Sequence, residues 1–334
     1  MGNKATQPRS FNTIRHSQTK MRAQRRRNQR VVLLAIFATV ALILISLLVL
    51  GGFLVVNAII DARPDPGPNN DPPAPVTDVV FIQTTKPADA VSAGQLVLVN
   101  AQYRYTFPAS VQLLRIYDNM VKKPNGSTIY RPVSNDYKLE IDALQALNDM
   151  MYRYYELDND ANFAISSAYR TLEDQEALGS SVQPGYSDHH TGYCVAIQYG
   201  DRSELEIDHW IYQNCHKYGF IVRYPEGKEN ITGVSDYRHC LRYVGVPHAT
   251  YMYEHDLCME EYLDLLKNTY NSSAQRLNIV AVAADGFVYE TYYVAASGSE
   301  VTTIDVPTSN YSYTVSGDNR GGFIVTVKLI PPAA

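Results

Sequence analysis

Between Val31 and Val56 the chain runs for 26 residues without a charged side chain, built almost wholly of Val, Leu, Ile, Ala, Phe and Gly. As a helix rising about 1.5 Å per residue this stretch is roughly 39 Å long, more than the roughly 30 Å hydrocarbon core of a bilayer, so it is predicted to cross a membrane once with some tilt. It is too long for the apolar core of a signal peptide, and no convincing cleavage site comes after it. A chain with such a segment cannot fold as one body in one solvent. Residues on the two sides of the span belong to different compartments.

The charges divide at the same place. Residues 1–30 hold nine Lys or Arg and no acid, which leaves 20 basic against 34 acidic residues, a net −14, for the remainder. Arg25, Arg26, Arg27 and Arg30 adjoin the span, so the positive-inside rule makes residues 1–30 a cytoplasmic tail and puts everything after 56 outside, a single-pass cell-membrane topology. Because the adjoining span accounts for the basic run, no nucleic-acid partner is expected. Residues 57–77 then read as a linker. Six of the thirteen residues Arg63–Pro75 are proline, which biases the chain to polyproline II with a reach of about 40 Å.

The remainder is long enough for one ample core, and its mixture of patterns predicts an α+β fold. Gly94 to Asn100, Gly-Gln-Leu-Val-Leu-Val-Asn, reads as a short apolar strand. Ile141, Leu144, Leu147, Met151 and Tyr154 recur at spacings of three and four, one face of a helix. Ser203 and Glu206 have capping-box spacing, and Ile207, Trp210, Ile211, Cys215 and Tyr218 recur on one side of the helix they would open. Gly219 stops it and Phe220–Tyr224 is a strand; His209 and His216, on the same helix, read as surface residues rather than ligands. From Leu277 strand-like runs alternate with Asp285-Gly286 and Gly317–Gly322 turns, predicting a small C-terminal β appendage over 277–334 with no catalytic motif.

Two stretches carry the chemistry: Ser187-Asp188-His189-His190-Thr191-Gly192-Tyr193-Cys194-Val195-Ala196, and Asp236-Tyr237-Arg238-His239-Cys240-Leu241-Arg242-Tyr243-Val244-Gly245. With Ser167-Ala168-Tyr169-Arg170-Thr171, Gln175 and Met259-Glu260-Glu261-Tyr262-Leu263, they resemble the VanY-type D-alanyl-D-alanine carboxypeptidases, zinc metallopeptidases of the LAS group that trim cell-wall stem peptides. The resemblance runs from about Val79 to Leu266. It implies a LAS/hedgehog-like peptidase domain over 78–268, a small antiparallel sheet with flanking helices.

The same resemblance shows what has changed. The family pattern at the first stretch is Ser-Glu-His-x-x-Gly-x-Ala-x-Asp, with His and Asp as zinc ligands; here His189 fills the first and Ala196 the second. At the second stretch the family has Glu-Pro-Trp-His, a catalytic base and a third ligand; here Tyr237 occupies the Glu position and Cys240 the His position. A catalytic zinc wants three protein ligands and an open position for water. Ala196 offers no electron pair, so His189 and Cys240 are what remains of the metal set. A tyrosine with an ordinary pKa near 10 stays protonated where a base poised near the operating pH is needed. No catalytic residue is therefore intact. The family's Arg is carried over as Arg170, a fork of donors suited to a carboxylate, with Gln175 and Ser187 beside it as substrate-binding candidates.

Cys194 lies two residues before Ala196, on the same strand face. Three arrangements stay open: no metal and no bridge, a disulfide between Cys194 and Cys240, or a rebuilt zinc site using His189, Cys240 and one of Cys194, His190 or His239. The reading expected from the sequence is a membrane-anchored, extracytoplasmic, non-catalytic relative that binds peptidoglycan stem peptides. No cofactor is expected, or zinc if the altered site still holds one. An active zinc D,D-carboxypeptidase with a changed ligand set and a structural envelope protein are the alternatives. The oligomeric state is left open.

Overall fold

The computed structural model describes residues 79–329 apart from 109–110, 159–161, 201–208, 236, 238 and 309–310. The tail at 1–30, the span at 31–56 and the linker at 57–77 lie outside the described residues, as does Ser203 with its capping box. None of the described helices is long and apolar enough to cross a membrane.

Two antiparallel ribbons and two sheets make up the strands. The sheet that carries the two motif stretches has five strands, in the spatial order Arg131–Pro132 (β3), Phe163–Ser167 (β5), Cys194–Tyr199 (β6), Cys240–Tyr243 (β8) and Phe220–Val222 (β7). β3 and β5 are parallel and the other pairs antiparallel. β6 sits in the middle, and its first four residues are buried. Successive side chains on a strand point to opposite faces. Val195 and Ile197 join the core formed with the helix Ile141–Asp158 (α1), which contributes Leu144, Leu147, Met151 and Tyr154. Each such large apolar side chain is worth about 1.5–3 kcal/mol when fully buried. Ile141, expected on the same face, is the helix's first residue and 42% exposed. Cys194 and Ala196 face the opposite side of β6, toward the site. Beyond β5 the short helix Leu172–Ala177 (α2) opens on a capping box between Thr171 and Asp174.

Leu113–Arg115 (β2) and Lys138–Glu140 (β4) form one ribbon. Phe81–Pro87 (β1) and Val301–Pro307 (β11) form the other, so the first described strand is completed by the chain's C-terminal part. The second sheet runs Ser312–Gly317 (β12), Gly322–Leu329 (β13), Val288–Ala295 (β10), Leu277–Val280 (β9), all antiparallel. One face packs through Tyr289, Tyr293 and Ile324 onto the helices Val246–Glu254 (α4) and Met259–Thr269 (α5), here through Met252, Met259, Tyr262 and Leu266. The other packs through Tyr292, Val325 and Val327 onto Ile304 and Val306 of the ribbon. The architecture is mixed α+β. The Asp285-Gly286 turn expected between strands is preceded by a helical turn at Val282–Asp285, which lengthens the β9–β10 connection.

Two sequence expectations need correction. Gly94 to Asn100 is not a strand: Leu96 to Val99 are buried, but no ladder forms. Its carbonyls are taken by side chains instead, Gln95 and Val97 by Arg242, Val99 by Arg223 and Leu98 by Asn319. His216 is not a surface residue. It is 7% exposed and stacked on Tyr253 with ring centroids 3.8 Å apart, and burial pushes its imidazole down to about 4. The helix expected to carry it is described from Trp210–Asn214 (α3), capped by His209, whose ring accepts from the Ile211 amide at 3.1 Å.

Candidate functional site

The first motif stretch folds as a 3-10 turn, Asp188–Thr191, that ends at Gly192 with φ of 77°. That left-handed conformation costs glycine nothing and other residues more, and it swings the chain directly into β6. The turn is fixed from beneath by buried charge. Asp188 accepts from Arg223 Nε at 2.9 Å and from Arg242 Nη1, while Arg223 also donates twice to Glu260, at 3.0 and 2.8 Å. Both arginines are 0% exposed and Asp188 2%. Two acids face two guanidiniums, so the cluster is neutral, and the spare donors end on the carbonyls of residues 95–99. A buried pair holds only when its remaining hydrogen-bonding capacity is also met.

The sequence shows Asp188, Arg242 and Glu260 only as members of the family-like stretches, and neither they nor Arg223 are assigned a role there. The available signal was a lone charge inside an apolar strand, Phe220-Ile221-Val222-Arg223 and Cys240-Leu241-Arg242, since such residues are almost never fully buried unless paired.

Above the turn, residues 168–170 and 189–190 are laced together. His189 Nδ1 donates to the Ala168 carbonyl at 2.8 Å, His190 Nδ1 donates to the Arg170 carbonyl at 2.8 Å, and the Arg170 amide donates to the His189 carbonyl at 3.3 Å. The bond at Nδ1 fixes the tautomer of His189 and leaves the Nε2 lone pair aimed at the sulfurs. Cys194 Sγ lies 3.8 Å from His189 Nε2 and 2.6 Å from Cys240 Sγ. The strand register explains the meeting: Ala196 is opposite Cys240 and Cys194 opposite Arg242, so the two cysteines are diagonal neighbours on one face. Among the described residues, His189, Cys194 and Cys240 are the one group of His, Cys, Asp or Glu whose ligand atoms converge, all within 4.8 Å. His190 is not part of it, since its Nε2 accepts from the Gly185 amide at 2.9 Å. His239 packs its ring on Tyr237, centroids 3.7 Å apart.

Arg170 is held in a fixed pose. Nε and Nη2 donate to Ser167 Oγ at 3.0 and 2.7 Å, and Nη1 donates to Gln175 Oε1 at 2.9 Å. Of the five N–H groups on a guanidinium these bonds use three and, among the described residues, leave one on each Nη. Gln175, on α2, is 1% exposed, and its amide nitrogen donates to Ser180 Oγ and the Val182 carbonyl. It is placed to orient Arg170. Ser187, 6% exposed, precedes the 3-10 turn and its carbonyl accepts from the His190 amide. Tyr237 is 41% exposed. Partial burial, and next the neighbouring Cys240, raise its phenol above the ordinary value while Arg170 pulls the other way. A phenol moved upward is further from acting as a base.

Residues 136–246 match the family model of VanY, D-alanyl-D-alanine carboxypeptidase. A D-alanyl-D-alanine carboxypeptidase of Enterococcus faecium is 30% identical over 257 residues, 72% of this chain and 77% of that protein. The chain belongs to the VanY-type carboxypeptidase family. The crystal structure of the vancomycin-resistance D,D-dipeptidase VanXYg has the same fold, with a TM-score of 0.62 at 24% identity, covering 75% of this chain and 100% of that one. A mutant of the vancomycin-resistance D,D-pentapeptidase VanY, crystallised with Zn(II), is 29% identical over 51% of this chain and 98% of that one, with a TM-score of 0.40.

In this VanY-type domain the residues present do not fit a catalytic zinc. Two thiolates each about 2.3 Å from a tetrahedral ion stand about 3.8 Å apart, whereas the two sulfurs are separated by 2.6 Å. Burial, followed by the bond to Cys240, raises the Cys194 thiol well above its ordinary range. Ala196, opposite Cys240 in the strand register, has no donor atom to offer a metal.

Proposed function

We propose that this chain is a VanY-type domain that binds peptidoglycan stem peptides without cleaving them, tethered in the cell membrane by residues 31–56 with the domain outside. The observation that carries this reading is Arg170. Its guanidinium is oriented by Ser167 and the buried Gln175 and, among the described residues, keeps two donors uncommitted, next to a site whose base and ligand positions hold Tyr237 and Ala196. An arginine fork holds a peptide carboxylate without a metal, so recognition can outlast hydrolysis.

Titrating full-length protein in detergent with a stem pentapeptide ending in D-alanyl-D-alanine tests this. Wild type should bind, release no D-alanine, and bind equally in chelator. Arg170→Ala should weaken binding roughly 10 to 150-fold, the loss of a charge-assisted hydrogen bond of about 1.5–3 kcal/mol, and Arg170→Lys should recover part of it. Release of D-alanine would instead support an active enzyme, and absence of binding to any wall fragment a structural role. The tethering rests on the uncharged 26-residue stretch and the nine basic residues before it. Protease added to intact protoplasts should remove the domain; protection until the membrane is breached would reverse the orientation.

A further inference from the structure

We propose that Cys194 and Cys240 close into a disulfide that stands where the family's metal stands. The four cysteines are all buried, but their surroundings differ. Cys215 is packed within the main hydrophobic core, and Cys258 caps α5, its side chain and that of Glu261 each bonding the other's backbone amide. Each has a structural task that a free thiol performs. Cys194 and Cys240 face each other, and among the described residues His189 completes the group around them, its Nε2 3.8 Å from Cys194 Sγ.

Their separation of 2.6 Å lies between two bonded arrangements. A disulfide, at about 2.05 Å, asks the sulfurs to approach by about 0.5 Å; a shared zinc asks them to retreat by about 1 Å. The antiparallel register puts both sulfurs on one face of β6 and β8; because the pair is diagonal, at a spacing of about 7–8 Å between Cα atoms that is wider than an ordinary disulfide's, closure draws the two strands slightly together. Closure takes two protons and two electrons from the two thiols. The electrons go to a disulfide oxidant, which is reduced to two thiols, by exchange through a mixed disulfide. The bond consumes the sulfur donors that a metal would need, and it braces β6 to β8 as the metal would have. In the cell this rests on the extracytoplasmic placement proposed above, where such oxidants act.

The test uses full-length protein purified from membranes without reductant, alkylated after denaturation and mapped by peptide mass. Cys215 and Cys258 should be alkylated, and the peptides carrying Cys194 and Cys240 should be recovered linked. After reduction, refolding with glutathione disulfide should restore the same linkage, which tests the pair independently of where the domain resides. In Cys194→Ser the thiol of Cys240 should become alkylatable, and reductant should lower the melting temperature of wild type but not of this variant. Alkylation of all four cysteines both as purified and after glutathione disulfide overturns the disulfide and leaves peptide binding standing. Zinc bound one to one, and lost in Cys194→Ser, overturns both the disulfide and the metal-free site.

Discussion

Replacing Asp188 by alanine should cost about 3–5 kcal/mol of stability, the effect of removing one partner from a buried ion pair, and so a large share of the about 5–15 kcal/mol a domain has. The loss arises on the far side of the pair. Arg242 would keep only the carbonyls of Gln95, Val97 and Tyr243, and Arg223 would keep Glu260 alone among carboxylates. Two guanidiniums would then face one carboxylate with no water in reach, since both are fully buried. Urea unfolding of the full chain, followed by circular dichroism, reads the change. Asp188→Asn should be less damaging, because its amide oxygen can still accept from one arginine. A loss below about 1 kcal/mol for Asp188→Ala, the scale of an exposed pair, would show that the cluster is not holding the turn.

The second large effect is a gain. A variant carrying Ala196→Asp, Cys240→His, Tyr237→Glu and Cys194→Ala should take up about one zinc per chain, where wild type should carry only traces. Ligands and base act as a unit, so single changes should recover little. The fourth change is dictated by the geometry: with Cys194 Sγ 2.6 Å from the sulfur it faces, an imidazole at 240 would meet that sulfur before it met a metal. The triple variant that keeps Cys194 should therefore bind zinc less well. Elemental analysis decides it, with D-alanine release as a second readout. If the fourfold variant holds no zinc, the backbone at this site has moved away from family geometry and the scaffold has not been preserved.

Much of this was legible in the sequence because it is local. Periodicity placed α1, the family resemblance of Met259 to Leu263 marked α5, and strand alternation put Cys194 on the same face as Ala196, which is why their convergence with Cys240 could be anticipated. The sequence leaves open which of Cys194, His190 and His239 would join His189 and Cys240, because that depends on where side chains find partners: His190 is taken by the Arg170 carbonyl and the Gly185 amide, while Cys194 lies beside both. Residues 94–100 have a strand's composition and no strand's bonds, because arginines distant in the chain occupy their carbonyls. The pairing of β1 with β11 spans more than two hundred residues and leaves no local trace.

The buried charge cluster also sets how short this domain can be cut. The segment matching the family model, 136–246, contains Asp188, Arg223 and Arg242, but neither Glu260 nor the carbonyls of Gln95, Val97 and Val99 that complete their bonding. A fragment trimmed to that match would expose or strand two guanidiniums with one carboxylate between them. A fragment that folds should therefore reach at least from Gln95 to Glu260, a length set by electrical neutrality and by donor satisfaction.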